Sequence, residues 1–336
     1  MTIPESPAEH PVPEEVAAGV WRLRLPMSTS PGHINSWLLA DGDGWTVVDC
    51  GTREDCARAS WRAFMASPLY GAGIRRIFLT HAHPDHGGSA PWLARETGAP
   101  VLMAEAERET LDSHQVDNAV REAEIAAWVG SWGASEKQIG FFQDFYHGFA
   151  LGCPPIHSTI ETVREGDTLT IGGRRWQLHA GLGHTPCNLL LHAEDDQLLI
   201  TGDQVLPDIV PNVSIWWRQD PNPLERYLES LARLRLLSVR QAFPSHGDPF
   251  ADYTERCDQL RRTQEQRIER LASALAGGAQ SVSQLLKSFG GQAVDSPMFP
   301  LVAGQIYARL AYLIERGRVT SFRDDDGGLY FQQAVP

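Results

Sequence analysis

The stretch Thr80-His81-Ala82-His83-Pro84-Asp85-His86-Gly87 decides how this chain is read. Three imidazoles and a carboxylate fall within His81 to His86. Ahead of them runs Ile74-Arg75-Arg76-Ile77-Phe78-Leu79, whose apolar bias predicts a short buried strand. Side chains alternate along an extended chain, so His81 and His83 can share a face. Asp85 and His86 lie on the turn beyond, held by Pro84 and opened by Gly87 and Gly88. Nitrogen and oxygen donors mixed at this density suit borderline and hard cations.

Working outward, four more polar residues end apolar runs beside a glycine or proline. They are Asp49 in Val47-Val48-Asp49-Cys50-Gly51, His184 in Gly183-His184-Thr185-Pro186, Asp203 in Thr201-Gly202-Asp203-Gln204 and His246 in Pro244-Ser245-His246-Gly247. Polar side chains placed repeatedly at strand ends mark the active edge of an α/β sheet. The segment Asn35 to Asp49 also has an echo in Asn188 to Asp203. Each reads as strand, acidic turn and strand ending in aspartate. Each is followed later by a hydroxyl residue and histidine, Thr80-His81 and Ser245-His246. Two similar β-rich halves meeting face to face would bring these ends into one cleft.

The rest of the chain sets the frame. Strands alternating with helices over Val20 to Met103, and again from Val163, predict an α/β layered fold. Residues 1–18 read as a polar, proline-bearing lead-in, and 105–157 as a helical insertion carrying Trp128, Trp132, Phe142, Phe145, Tyr146 and Phe149. That insertion is either a lid over a pocket or helices packed on the core. From 261 to 336 the pattern is helical, then a hairpin, Val319 to Phe322 and Leu329 to Phe331, around Asp324-Asp325-Asp326-Gly327-Gly328. This resembles a winged-helix module, but aspartates at the wing tip would repel phosphate.

A net charge of −13 over 336 residues argues against nucleic acid and anionic membranes as partners. Five cysteines without a C-x-x-C pair predict reduced thiols. No basic-then-apolar leader and no membrane-length apolar run is visible, so the expectation is a cytoplasmic protein.

With H-x-H-x-D-H at His81, His83, Asp85 and His86, then His184, Asp203 and His246 in order, the chain resembles the metallo-β-lactamase fold superfamily over roughly residues 18–260. The resemblance implies a four-layer αββα sandwich, residues 19–260, ahead of the small C-terminal helical, winged-helix-like domain. It implies that His81, His83 and His184 hold one metal, that Asp85, His86 and His246 hold a second, and that Asp203 bridges them. Asp49 matches the buried aspartate that orients ligands. The metals would be two zinc ions, with iron or manganese the alternatives.

The implied chemistry is attack of a metal-bridging hydroxide on a carbonyl, with Asp85 orienting it as the catalytic carboxylate. The bridging aspartate points to the glyoxalase II-like branch and its lactonase and esterase relatives. The substrate class is then a small-molecule thioester, ester or lactone. The stretch His184-Thr185-Pro186-Cys187-Asn188 departs from the H-x-P-G-H of many such relatives, and no basic residues match those that hold glutathione. Alternatives are a phosphodiesterase or nuclease of the same fold, β-lactamase-like amide hydrolysis, and a non-hydrolytic, oxygen-handling or metal-keeping member. Trp216 and Trp217, following the bridging aspartate, and Tyr146 of the insertion are expected to line the substrate pocket. The C-terminal tail is a candidate for holding a homodimer together.

Overall fold

The structure, a computed structural model, describes residues 11–325 and 328–334. The first sheet has seven strands in chain order: β1 (Glu14–Ala17), β2 (Val20–Pro26), β3 (His33–Asp41), β4 (Gly44–Val48), β5 (Ile74–Phe78), β6 (Val101–Ala104) and β7 (Ile160–Val163). Pairing is antiparallel from β1 to β4 and parallel from β4 to β7. Helices α1 (Asp55–Met65), α2 (Pro84–Gly87) and α3 (Ala90–Thr97) fill the first crossovers. Helices α4 (Glu105–Ser113), α5 (Asn118–Gly130) and α6 (Glu136–Gly152) fill the last.

The second sheet runs β12-β11-β10-β9-β8, with β8 (Thr168–Ile171), β9 (Arg174–Gly181), β10 (Asn188–Ala193), β11 (Leu198–Gly202) and β12 (Gln241–Pro244). Helix α7 (Pro223–Leu234) links β11 to β12, and α8 (Tyr253–Ala274) follows. Then come β13 (Gln280–Ser281), α9 (Val282–Gly290), α10 (Phe299–Glu315), β14 (Val319–Arg323) and β15 (Leu329–Gln333), with the strands ordered β13-β15-β14.

Period-two alternation explains the layering. Val48, Phe78, Leu189, Leu191 and Ile200 meet between the two sheets. Their neighbours point outward. Val47 and Ile77 pack under Trp61 and Phe64 of α1 and Trp92 of α3. Leu190 and Leu199 pack under Tyr227 and Leu231 of α7 and Leu260 of α8. Strands β4, β10 and β11 are buried throughout, as sheets covered on both faces require. The result is the αββα sandwich expected from the sequence.

Three local expectations shift. Part of the lead-in forms β1, because Gly19, at φ 69°, turns Glu14–Ala17 back onto β2. Residues 1–10, 326, 327, 335 and 336, and with them the first ten residues of the lead-in and the middle of the Asp-rich wing turn, lie outside the described residues. Helix α8 runs unbroken through residue 260, the boundary drawn between the two parts. The insertion, for its part, is three helices, two of whose aromatic side chains pack on the tail. Trp132 stacks on Tyr307 of α10 at 3.7 Å, and Phe142 meets Phe299 edge-on at 5.6 Å. No helix among the described residues is long and apolar enough to cross a membrane.

The internal echo is structural. Hairpins β3–β4 and β10–β11 are both antiparallel, and the second strand of each pairs in parallel with a later strand, β5 or β12. The halves exchange backbone bonds at their ends. Asn35 N–H donates to the Ser245 carbonyl at 2.7 Å, and Leu189 N–H to the Thr80 carbonyl at 2.9 Å. Both hydroxyl-histidine pairs therefore arrive at the same edge.

Candidate metal centre

The first half supplies four ligand candidates from the chain leaving β5. Pro84 starts the one-turn helix α2, which carries Asp85 and His86 back over His81. Gly88 must be glycine, since a Cβ there would lie 2.3 Å from the Pro84 carbonyl oxygen. The second half supplies His184 after β9, Asp203 after β11 and His246 after β12. All seven come together. His81, His83, His184 and Asp203 form one group of donors and Asp85, His86 and His246 another, with the ligand atoms of each group within 4.8 Å of one another.

The imidazoles are pinned from behind. Thr80 Oγ1 donates to Asp49 Oδ2 at 2.8 Å, so at 3.0 Å it accepts from His81 Nδ1. His86 Nδ1 donates to Asp49 Oδ2 at 2.8 Å, His184 Nδ1 to the Asn212 carbonyl at 2.7 Å, and His246 Nδ1 to the His33 carbonyl at 2.8 Å. Each bond places a proton on Nδ1 and turns Nε2 towards the other donors of the cleft. His83 turns the other way, with Nδ1 3.0 Å from His81 Nε2.

Asp203 stands between the groups. Its Oδ2 lies 3.4 Å from His184 Nε2, and its Oδ1 lies 3.4 Å from His86 Nε2 and 3.6 Å from His246 Nε2. The Ser245 hydroxyl donates to Oδ1 and Asn188 accepts from the Asp203 N–H at 3.2 Å, which fixes the carboxylate. Asp85 Oδ2 is 3.2 Å from His246 Nε2.

This is a site built for positive charge. Burial opposes the His86 cation, yet Asp49, Asp203 and Asp85 outweigh it and hold that pKa well above the usual histidine value. Burial likewise opposes a charged His246, and Asp203 and Asp85 raise it nonetheless. On the other side, burial and the neighbouring imidazoles push His81 far down and His83 to about 3, so both imidazoles are neutral. His86 Nε2 and His184 Nε2 are buried without a hydrogen-bond partner, although buried polar atoms are normally paired. Divalent cations fit all of this. Bound there, they would pair with the Nε2 atoms and neutralise the carboxylates.

Asp49 sits where the sequence suggested, fully buried at the end of β4 with φ 58°. Besides holding Thr80 and His86, its Oδ1 accepts from Thr80 N–H at 2.9 Å. In Asp49→Asn the amide would set N–H groups against His86 Nδ1–H and the Thr80 hydroxyl. Metal affinity is expected to fall about 10- to 100-fold, measured by competition with a chromophoric chelator.

Sequence reasoning missed Glu107 on α4. It is fully buried, and accepts from Ala82 N–H at 2.9 Å and Cys187 N–H at 2.7 Å. It therefore clasps the His81–His83 turn to the turn after His184. Burial raises its pKa despite those bonds. Nothing in the polar run Glu105-Ala106-Glu107-Arg108-Glu109 singles it out. Thr80 and Ser245 were visible as hydroxyls in the internal echo, though not their bonds to Asp49 and Asp203.

Trp216, Trp217 and Tyr146 lie together and are buried, at 9%, 6% and 3% exposure. The Tyr146 hydroxyl accepts from Trp217 N–H at 2.7 Å. Trp216 stacks on the partly exposed Phe145 at 5.2 Å, Phe145 meets Phe149 at 6.1 Å, and Phe149 meets His83 at 5.4 Å. An aromatic row thus leads from the metal constellation to the expected pocket residues, with Phe149 as the member touching a ligand.

The loop after Asp203 also leans on the tail. Ile215 N–H donates to the Gly304 carbonyl at 3.1 Å, and a Cβ at Gly304 would stand 2.8 Å from Ser214 Cβ. Gly304→Val is expected to cost about 1–3 kcal/mol, seen as a lower Tm. It should also weaken metal retention, because the same loop carries the Asn212 carbonyl that holds His184.

Comparison with known proteins agrees with this architecture. The family model of the metallo-beta-lactamase superfamily matches residues 29–246. A beta-lactamase domain protein from Burkholderia ambifaria has a solved structure 32% identical, with TM-score 0.82, over 98% of this chain and 97% of that one. A metallo-beta-lactamase family protein of Thermus thermophilus is 25% identical, with TM-score 0.79, over 95% of this chain and 100% of that one. A UPF0173 metal-dependent hydrolase of Rhizobium leguminosarum is 26% identical over 56% of this chain and 73% of its own length. A model match over most of the chain, spanning every ligand candidate from His81 to His246, means that the chain belongs to the metallo-beta-lactamase superfamily.

Proposed function

We propose that the protein is a hydrolase dependent on two divalent metals, zinc by its donor set, that opens the carbonyl of a thioester, ester or lactone. The observation that carries this reading is Asp203, whose two oxygens face imidazoles of different groups at 3.4 Å each. Such a carboxylate would be placed to hold both cations, and a pair so held would suit attack by water without a nucleophilic side chain. When bound, the cations would polarise the carbonyl oxygen and bring the pKa of water towards neutrality.

The side chains do the rest. Burial opposes ionisation of Asp85, but His86 and His246 hold its pKa down to about 2. It is thus an anion at working pH, able to accept a hydrogen bond from the attacking water and aim it. Thr80, Asp49 and the carbonyls of Asn212 and His33 keep the imidazoles of His81, His86, His184 and His246 from turning. The row Phe149, Phe145 and Trp216 offers an apolar wall for an acyl group.

The test is a hydrolysis panel on metal-loaded protein with acyl-CoA, acyl-glutathione, homoserine lactones, aryl esters, β-lactams, bis-p-nitrophenyl phosphate and RNA. At least one thioester, ester or lactone is expected to react with kcat/KM of about 10⁴ M⁻¹s⁻¹ or more. Faster turnover of a phosphodiester, RNA or β-lactam than of every such substrate would overturn the reading.

A further inference from the structure

Apart from the metal constellation, α8 and the α9–α10 pair wall a half-open cavity of about 250 Å³. Arg267, Arg270 and Arg309 line it together with Leu271, Phe289 and Ile306. Among the described residues no carboxylate partners any of these guanidinium groups. The acids flanking them on α8 are engaged elsewhere, Glu265 with Arg261 at 3.5 Å and Glu269 with Arg318 at 2.6 Å. The chain has 42 acidic residues against 29 basic ones, so counter-ions were plentiful and are not used here.

Arg267 is half-buried, and Arg270 is exposed. Arg309 is half-buried and spends its terminal nitrogens on one neighbour, the Gln305 carbonyl at 3.0 Å and Gln305 Oε1 at 3.3 Å. Its Nε is buried with no partner. The Arg270 guanidinium lies 5.2 Å from the centre of the Phe289 ring. Burial and the nearby Arg267 draw the Arg309 pKa down to about 10, the mark of positive charge held close without compensation. Unpaired buried donors and converging like charges both cost stability. An anion seated among them would remove both costs.

The walls narrow the choice of anion. Leu271, Phe289 and Ile306 are apolar, so the occupant needs an apolar body beside its charged head. A planar guanidinium fork matches a carboxylate in geometry and charge. We propose that this cavity is a second ligand site, taking a small organic carboxylate with an apolar body, its head on Arg267, Arg270 and Arg309. The inference does not depend on the reaction proposed above.

Calorimetric titration of the full-length, metal-loaded protein with hexanoate, hexan-1-ol and inorganic phosphate tests it. Hexanoate is expected to saturate one site and to bind about 10- to 100-fold more weakly to Arg309→Gln and Arg267→Gln. Hexan-1-ol, lacking the head, should not bind. Without ligand, Arg309→Gln should melt no lower than the parent protein, since it removes an uncompensated charge. No hexanoate binding, equal binding in both variants, phosphate binding as tight as hexanoate, or a clearly lower Tm for Arg309→Gln would each overturn the proposal.

Discussion

Asp203→Ala is expected to reduce bound metal from about two equivalents to one or fewer, and to cut kcat/KM on the true substrate by about 10³-fold or more. Among the described residues the carboxylate is the one side chain whose oxygens face both imidazole groups, 3.4 Å from His184 Nε2 on one side and 3.4 Å from His86 Nε2 on the other. Without it, the negative charge that balances two cations is reduced. A loss of about 4 kcal/mol of transition-state stabilisation corresponds to that fold-change. Asp203→Asn separates charge from shape. A neutral amide keeps the volume but cannot bridge, so it should behave like alanine in both metal content by atomic emission and rate. Full retention of both metals by Asp203→Asn would sink the bridging role.

Glu107→Ala carries the second large effect. It strips the acceptor from two buried backbone N–H groups, those of Ala82 and Cys187. Each orphaned donor costs about 1–3 kcal/mol, so the change approaches about 2–6 kcal/mol. That is a large fraction of the ~5–15 kcal/mol that keeps a typical domain folded. It also frees the turn bearing His81 and His83 from the turn following His184, and metal affinity should fall about 10- to 100-fold. Denaturation with and without chelator distinguishes the two consequences. The backbone cost lowers stability in both conditions, whereas loosened metal shows as a smaller gain on adding it. Glu107→Gln, which keeps one acceptor oxygen, should fall between. An unchanged midpoint in Glu107→Ala would mean that the two turns hold their places without this clasp.

The sequence by itself determined the donors and their order. Period-two alternation separated Val47 from Val48 and Leu190 from Leu191 into different layers, because in a sandwich both faces of a strand must be buried. The H-x-H-x-D-H run, with polar residues at the other strand ends, marked the candidate ligands because the chemistry demands those side chains whatever surrounds them. Tertiary structure decided how they are held. The carbonyls that set the tautomers of His184 and His246 belong to Asn212 and His33. A backbone carbonyl is the same group in every residue, so no residue type announces it. Glu107 reads like any helical glutamate until folding puts it 2.7 Å from Cys187 N–H. The arginines of α8 and α10 lie about forty residues apart in the chain, and nothing in the sequence joins them. Only packing α10 across α8 turns them towards one another.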